Sequence, residues 1–232
     1  VKQYLKTHLR VRFFLRRESV LALRMLSARQ LYDYFNMMKS QHVGAFLQRC
    51  PSFFGACGVM KIQQEVALFQ AIVDLPLGKI GVRTEAGQIA ELCYLPPHFD
   101  AKAPQDAIAE IAAHQLRRYC EDADYVFDLP LRAVGTPFQQ RVWDTIRSIP
   151  RGSVRTYGEL ASHLGSVPRA VGQACGANWF PVVIPCHRVT AATGLGGFSR
   201  SDDPNGYLLA IKRWLLAHEG SSEYAWQQTT LL

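Results

Sequence analysis

The sequence predicts an α+β fold: a small N-terminal sheet with a helix, then a mainly helical part carrying a helix-turn-helix pattern. Three observations predict it. Residues from Val66 to about Leu95 alternate apolar and polar around one short turn, Glu85-Ala86-Gly87. Pro104 to Cys120 then changes to helical spacing, with Ile108, Ile111, Ala112, Leu116 and Tyr119 on one face. From Thr136 onward, short helices with clear start signals replace strands altogether.

The elements follow in order. Residues 1–59 carry ten Lys/Arg against two Asp/Glu, about +8, so the whole of the chain's +7 net charge arises there. They read as a basic extension, disordered or translated ahead of a start at Met60-Lys61. From 60 on the chain is near neutral, so the overall basicity is no argument for nucleic acid. Residues 60–130 are expected to form the N-terminal α+β domain, in which "VALFQAIVD" and "KIGVRTEAGQIAELCYL" are strands. Asp128–Gly135, with Pro130, reads as a linker.

Thr136-Pro137-Phe138-Gln139 is a helix start: Thr caps, Pro opens the first turn, and Gln139 reaches back. Phe138, Val142 and Ile146 line one face beside Trp143, and Pro150-Arg151-Gly152 ends the helix. Thr156-Tyr157-Gly158-Glu159 is a second capping box, opening "YGELASHL". "PRAVGQACGAN" follows as another helix, rich in Ala and Gly, with Arg169 at its tip. Two short helices about a tight turn suit either a helix hairpin or a helix-turn-helix. Small side chains plus one long cation at the tip favour close approach to a DNA groove. "ANWFPVVIPCHRV" reads as an extended stretch, "TAATGLGGFSRSDDPNG" as a polar loop, and "YLLAIKRWLLAHEG" as a closing amphipathic helix stopped by Gly220. The tail, 221–232, shows no pattern.

Six cysteines (50, 57, 93, 120, 175 and 186) lack framework spacing and read as reduced thiols of a cytoplasmic protein. No apolar run reaches the roughly 20 residues of a membrane helix, and no signal-peptide pattern is present. Adjacent Cys186-His187 is not zinc spacing. It suits neither a Cys-His hydrolase, whose partners are usually distant in sequence. It suits a thiol deprotonated through a water by His187, given a carboxylate to hold the imidazole. Asp202, Asp203 and Glu219 are the nearby acids. Glu219 lies against the dipole at a helix C-terminus, which points to a job other than helix stability.

"IPCHRV", preceded by "RAVGQACGAN" and followed by "GGF" and "KRWLLAHEG", resembles the methylated-DNA–protein-cysteine methyltransferases, the DNA alkyltransferases that repair O6-alkylguanine. The resemblance covers roughly 61–220 and is strongest over 136–220, the expected catalytic and DNA-binding domain. It implies a winged-helix-like C-terminal domain. It implies that Cys186 takes the alkyl group, His187 is the base acting through water, and Glu219 holds His187. Asn178 braces the turn before the cysteine, and Tyr157 donates to guanine N3. Arg169 fills the gap left by the flipped base; Arg169, Tyr157, Ala170, Gly172 and Gln139 would meet DNA in the minor groove. The carbonyls of Cys186 and Val189 would read the guanine amino group, under a lid of Gly197, Phe198 and Ser199.

An alkyl group on O6 is a poor electrophile, and a free thiol with pKa near ~8.5 is mostly protonated at neutral pH, so activation is needed. The expected product is a thioether that nothing in the chain cleaves. The reaction would thus be irreversible and single-turnover, on O6-alkylguanine and also O4-alkylthymine, by a monomer acting on double-stranded DNA without cofactor or metal. The N-terminal zinc site of some relatives has no matching ligand set, although His42, Cys50 and Cys57 lie in the extension. Three rival functions predict different behaviour. A non-repairing alkyltransferase-like protein replaces the cysteine, a transcription regulator needs base-reading side chains, and a hydrolase turns over.

Overall fold

The computed structural model describes residues 66–221. The basic extension and the tail lie outside them, as do His42, Cys50 and Cys57. The described residues belong to one compact unit that begins at Val66.

Three antiparallel strands form the sheet: β1 (Ala71–Leu75), β2 (Gly78–Glu85) and β3 (Gln88–Leu95), in that spatial order. The expected strand from Val66 begins instead at Ala71, since Val66 and Ala67 are helical. Both hairpins are two-residue turns. In the second, Ala86 (φ 49°) and Gly87 (φ 76°) both take left-handed backbone, as the twist of a tight hairpin demands. Inside β3, Glu91 is buried and its carboxylate is met by Arg83 at 2.9 Å.

Helix α1 (Ala107–Glu121) packs on the sheet, its first turn capped by the Asp106 carboxylate accepting from the Ala109 N–H at 2.8 Å. It buries Ala109, Ala112, Ala113, Gln115, Leu116 and Tyr119. Ile111, expected on that face, is 44% exposed instead, because the buried stripe runs through the small alanines that let the helix sit close to the sheet. The expected linker is tied down: Ile89 and Leu131 form a bridge, with Ile89 N–H donating to Pro130 O and Arg132 N–H to Ile89 O. The buried core runs without a break from the sheet through α1 into the later helices.

Helix α2 (Pro137–Arg147) and helix α3 (Tyr157–His163) both open on the capping boxes read from sequence. Helix α4 (Pro168–Gly176) packs on both α2 and α3. The Trp143 indole N–H donates to Ala174 O at 3.0 Å, pinning α4 against α2.

The segment expected to be extended before His187 is a succession of turns ending in a single 3-10 turn, Cys186–Arg188. The prolines explain this. Pro181 and Pro185 remove backbone donors, and the side chain of Asn178 bonds the backbone instead. Two short parallel strands then pair, β4 (Arg155–Thr156) with β5 (Val189–Thr190). Helix α5 (Tyr207–His218) closes the fold. It ends in a Schellman motif: Gly220 is left-handed (φ 92°), its N–H bonds Ala217 O, and Ser221 N–H bonds Leu216 O.

Candidate active site

Three pieces of chain meet around Cys186. The β4–β5 pairing ties the start of α3, where Tyr157 sits, to the residues just after the cysteine turn. Asn178, at the end of α4, ties that helix to the residues before the cysteine. Its side-chain amide donates to Ile184 O at 2.9 Å and to Cys186 Sγ at 3.3 Å, while its Oδ1 accepts from Phe180 N–H at 2.9 Å. The Schellman end of α5 delivers Glu219.

Glu219 is fully buried and lies opposite His187, which is buried as well. His187 Nε2–H donates to Glu219 Oε1 at 2.8 Å. Arg188 grips both carboxylate oxygens, Nε to Oε2 at 2.8 Å and Nη2 to Oε1 at 2.9 Å. Burial alone would raise the carboxyl pKa, but the hydrogen bonds from His187 and Arg188 outweigh it and hold the group well below the usual carboxylate range. Burial depresses His187, and the Glu219 hydrogen bond and charge offset only part of that, so the imidazole is neutral at rest. Its other nitrogen, Nδ1, is buried without a protein partner.

Cys186 lines a cavity of about 330 Å³, together with Tyr157, Gly172, Cys175, Gly176 and the loop 197–202. Tyr157 OH donates to Gly197 O at 3.1 Å, so its phenol rests on the loop across the cavity. In that loop Phe198 is buried on Tyr94, with ring centres 5.4 Å apart. Ser199 (φ 51°) and Arg200 (φ 67°) form a two-residue turn in left-handed backbone, a conformation that costs non-glycine residues about 1–3 kcal/mol each. Arg200 Nε donates to Gly176 O at 3.1 Å, tying the loop tip to the C-terminus of α4.

Of the other residues expected to meet DNA, Gly172 alone lines the cavity. Arg169 is exposed at the first turn of α4, with Ala170 and Gly172 half-buried beyond it. Gln139 is half-buried, and its carbonyl is engaged in the cap of α2, accepting from Thr136 N–H at 2.8 Å. Both carbonyls expected to read a base already accept one hydrogen bond: Cys186 O from Val189 N–H, and Val189 O from Lys212 at 2.8 Å.

Lys212 escaped the sequence reading. It is fully buried, and its ammonium also donates to Leu195 O at 2.6 Å and Gly197 O at 3.1 Å. One cation thereby joins the cysteine turn to the lid. Burial lowers its pKa to about 8, although the nearby thiols Cys186 and Cys175 act in the opposite sense. A signal was present: Lys212 shares the stripe of Leu209, Leu216 and Glu219 on α5, where a solvated lysine has no place. Arg188 and Tyr119, the other partners of Glu219, carried no such signal.

Known proteins resemble this chain. The 6-O-methylguanine DNA methyltransferase DNA-binding domain matches residues 137–221. A methylated-DNA–protein-cysteine methyltransferase of Shigella flexneri is 43% identical over 111 residues, 46% of this chain and 60% of that one. Its counterpart in Methanosarcina acetivorans is 32% identical over 162 residues, 66% of this chain and 99% of that protein. The chain belongs to the methylated-DNA–protein-cysteine methyltransferase family. The crystal structure of the Mycobacterium tuberculosis O6-methylguanine methyltransferase agrees: TM-score 0.53 at 32% identity, covering 65% of this chain and 91% of that one. The M. tuberculosis OGT in complex with DNA gives TM-score 0.53 at 33% identity, covering 66% and 92%. Among the described residues no helix of this methyltransferase-family chain is long and apolar enough to cross a membrane.

Proposed function

We propose that this protein repairs DNA by moving the alkyl group of O6-alkylguanine irreversibly onto Cys186. The observation that carries the reading is Cys186 lining a cavity beside a buried His187–Glu219 pair. A thiol there is accessible to one ligand at a time, and a base with its own counter-charge stands next to it.

The steps follow from these groups. A water on the unpartnered Nδ1 of His187 takes the thiol proton and passes it to the imidazole, and Glu219 stabilises the resulting cation. The thiolate attacks the alkyl carbon; the S–C bond forms as the C–O6 bond breaks, and the electron pair leaves with the base. Tyr157 releases Gly197 O and passes its proton to guanine N3, so that the base departs neutral; the phenolate then takes up, through solvent, the proton that His187 removed from the thiol. Its raised pKa, caused by burial and then by the neighbouring Cys175 and Cys186, keeps the phenol protonated until then. The thioether persists, and each molecule acts once.

A duplex hides O6, so the base must be everted, at a cost of a few kcal/mol. The pair α3–α4 serves as the helix-turn-helix, with Ala170 and Gly172 allowing close approach in the minor groove and exposed Arg169 filling the vacated stack. O4-alkylthymine is a second substrate on the same chemistry, and the protein acts as a monomer in the cytoplasm. The division into a 60–130 domain and a 136–220 catalytic domain is part of the same reading.

The test is intact mass after mixing with O6-methylguanine duplex. One methyl group per molecule, located on Cys186 and absent in Cys186→Ala, is the expected result. Multiple turnovers, or binding with no mass change, refute the proposal.

A further inference from the structure

The carboxylate of Glu219 has a partner that the relay does not require. Tyr119, near the C-terminus of α1, donates its hydroxyl to Glu219 Oε1 at 2.7 Å, the same oxygen that His187 Nε2 meets at 2.8 Å. In sequence Tyr119 was one more core position of an amphipathic helix. In the fold its ring is only 3% exposed, and it is fixed from several sides. Phe127 lies 5.4 Å away, and His218 meets it edge-on at 5.3 Å. The His218 ring also hydrogen-bonds Tyr119 O through Nε2 at 2.7 Å. A phenol used only to fill a core has no need of this registration.

We propose that Tyr119 is a positioning residue for alkyl transfer: from the sheet side of the protein it aims the Glu219 carboxylate and sets how much negative charge His187 feels. The inference rests on the reading of Cys186, His187 and Glu219 as the reacting site. The groups around the imidazole are few. Glu219 and Lys212 come from α5, Arg188 and Cys186 from the same 3-10 turn, and Tyr119 from α1 acts through the shared oxygen. Arg188 compensates both carboxylate oxygens, and Tyr119 adds a neutral donor to Oε1. Burial and the adjoining Glu219 charge hold the phenol protonated far above its ordinary range, so it donates at every working pH. Removing that donor leaves the carboxylate less compensated, and the imidazole beside it becomes more basic.

Tyr119→Phe tests this with little change in volume. The measurement is the pH dependence of single-turnover methyl transfer, run beside the pH dependence of Cys186 alkylation by iodoacetamide, which needs no DNA. The acid limb of both profiles is expected to move to higher pH by about half a unit to one unit, a three- to tenfold loss on the acid side. Site-specific 3,5-difluorotyrosine at 119, a stronger donor of nearly the same size, should move both limbs the other way, and it serves if the phenylalanine variant does not fold. A purely structural tyrosine lowers thermal stability or the rate at all pH values and leaves the limb in place; that result overturns the inference. A wild-type protein that takes no methyl group refutes the repair function instead, and the iodoacetamide profiles still decide the role of Tyr119.

Discussion

Replacing Glu219 with glutamine keeps the shape of the side chain and removes its charge. In the wild type that charge is buried and answered by Arg188 at 2.8 and 2.9 Å and by the His187 ring at 2.8 Å. Breaking a buried pair by neutralising one partner typically costs about 3–5 kcal/mol. Arg188 is 14% exposed and keeps its bond to Ile149 O, which places Glu219→Gln near the lower end, about 3 kcal/mol. The effect on chemistry is separate. An opposite charge at this range raises the pKa of a neighbour by about 1–3 units, so its loss weakens His187 as a base by roughly 10- to 1,000-fold. Urea unfolding gives the first quantity, and single-turnover methyl transfer, measured where the variant remains folded, gives the second. If Glu219→Gln loses the stability but transfers methyl within twofold of wild type, Glu219 holds the fold and takes no part in proton transfer. If it loses neither, the buried pair is not formed in solution.

Asn178→Ala should cost about 1–3 kcal/mol, since it strands the Phe180 N–H in a buried site, while the Ile184 carbonyl keeps its bond from Cys186 N–H at 2.8 Å; urea titration reads it. Asn178→Asp keeps the acceptor but sets a carboxylate against Cys186 Sγ, so its iodoacetamide labelling at neutral pH should fall further than its stability does. Lys212 predicts a pH effect. Its folded pKa of about 8 lies below its ordinary 10.5, so between these values the unfolded chain holds a proton that the folded one has released. Stability must therefore rise with pH across that window, by up to ~3 kcal/mol. Cys175, Tyr119 and Tyr157, which burial keeps protonated, act in the opposite sense above their own ordinary values. The lysine is isolated as the difference between wild type and Lys212→Met in urea titrations at pH 8 and 10.5; a constant difference disproves the account. On the acid side His187 and Glu219, both held below their ordinary values, should make stability fall as pH drops below about 6.5.

Local chemistry was legible in the sequence alone. The two capping boxes at Thr136 and Thr156, the Ala86-Gly87 hairpin and the Gly220 stop each depend on residues within a few positions of one another, and each forms as read. The adjacency of Cys186 and His187, and the odd position of Glu219 at a helix end, were visible for the same reason. What the tertiary structure decided was everything set by partners distant in the chain. Ile111 turned outward because the sheet selected the alanine stripe of α1. The stretch before Cys186 became turns because Asn178 supplied its hydrogen bonds. Tyr119 and Lys212 reach across 100 and 23 residues to Glu219 Oε1 and Val189 O. Spacing in a sequence encodes which face of one element a side chain occupies. Which buried charge it will answer is fixed only when elements pack, because the cost of stranding that charge arises only once water is excluded.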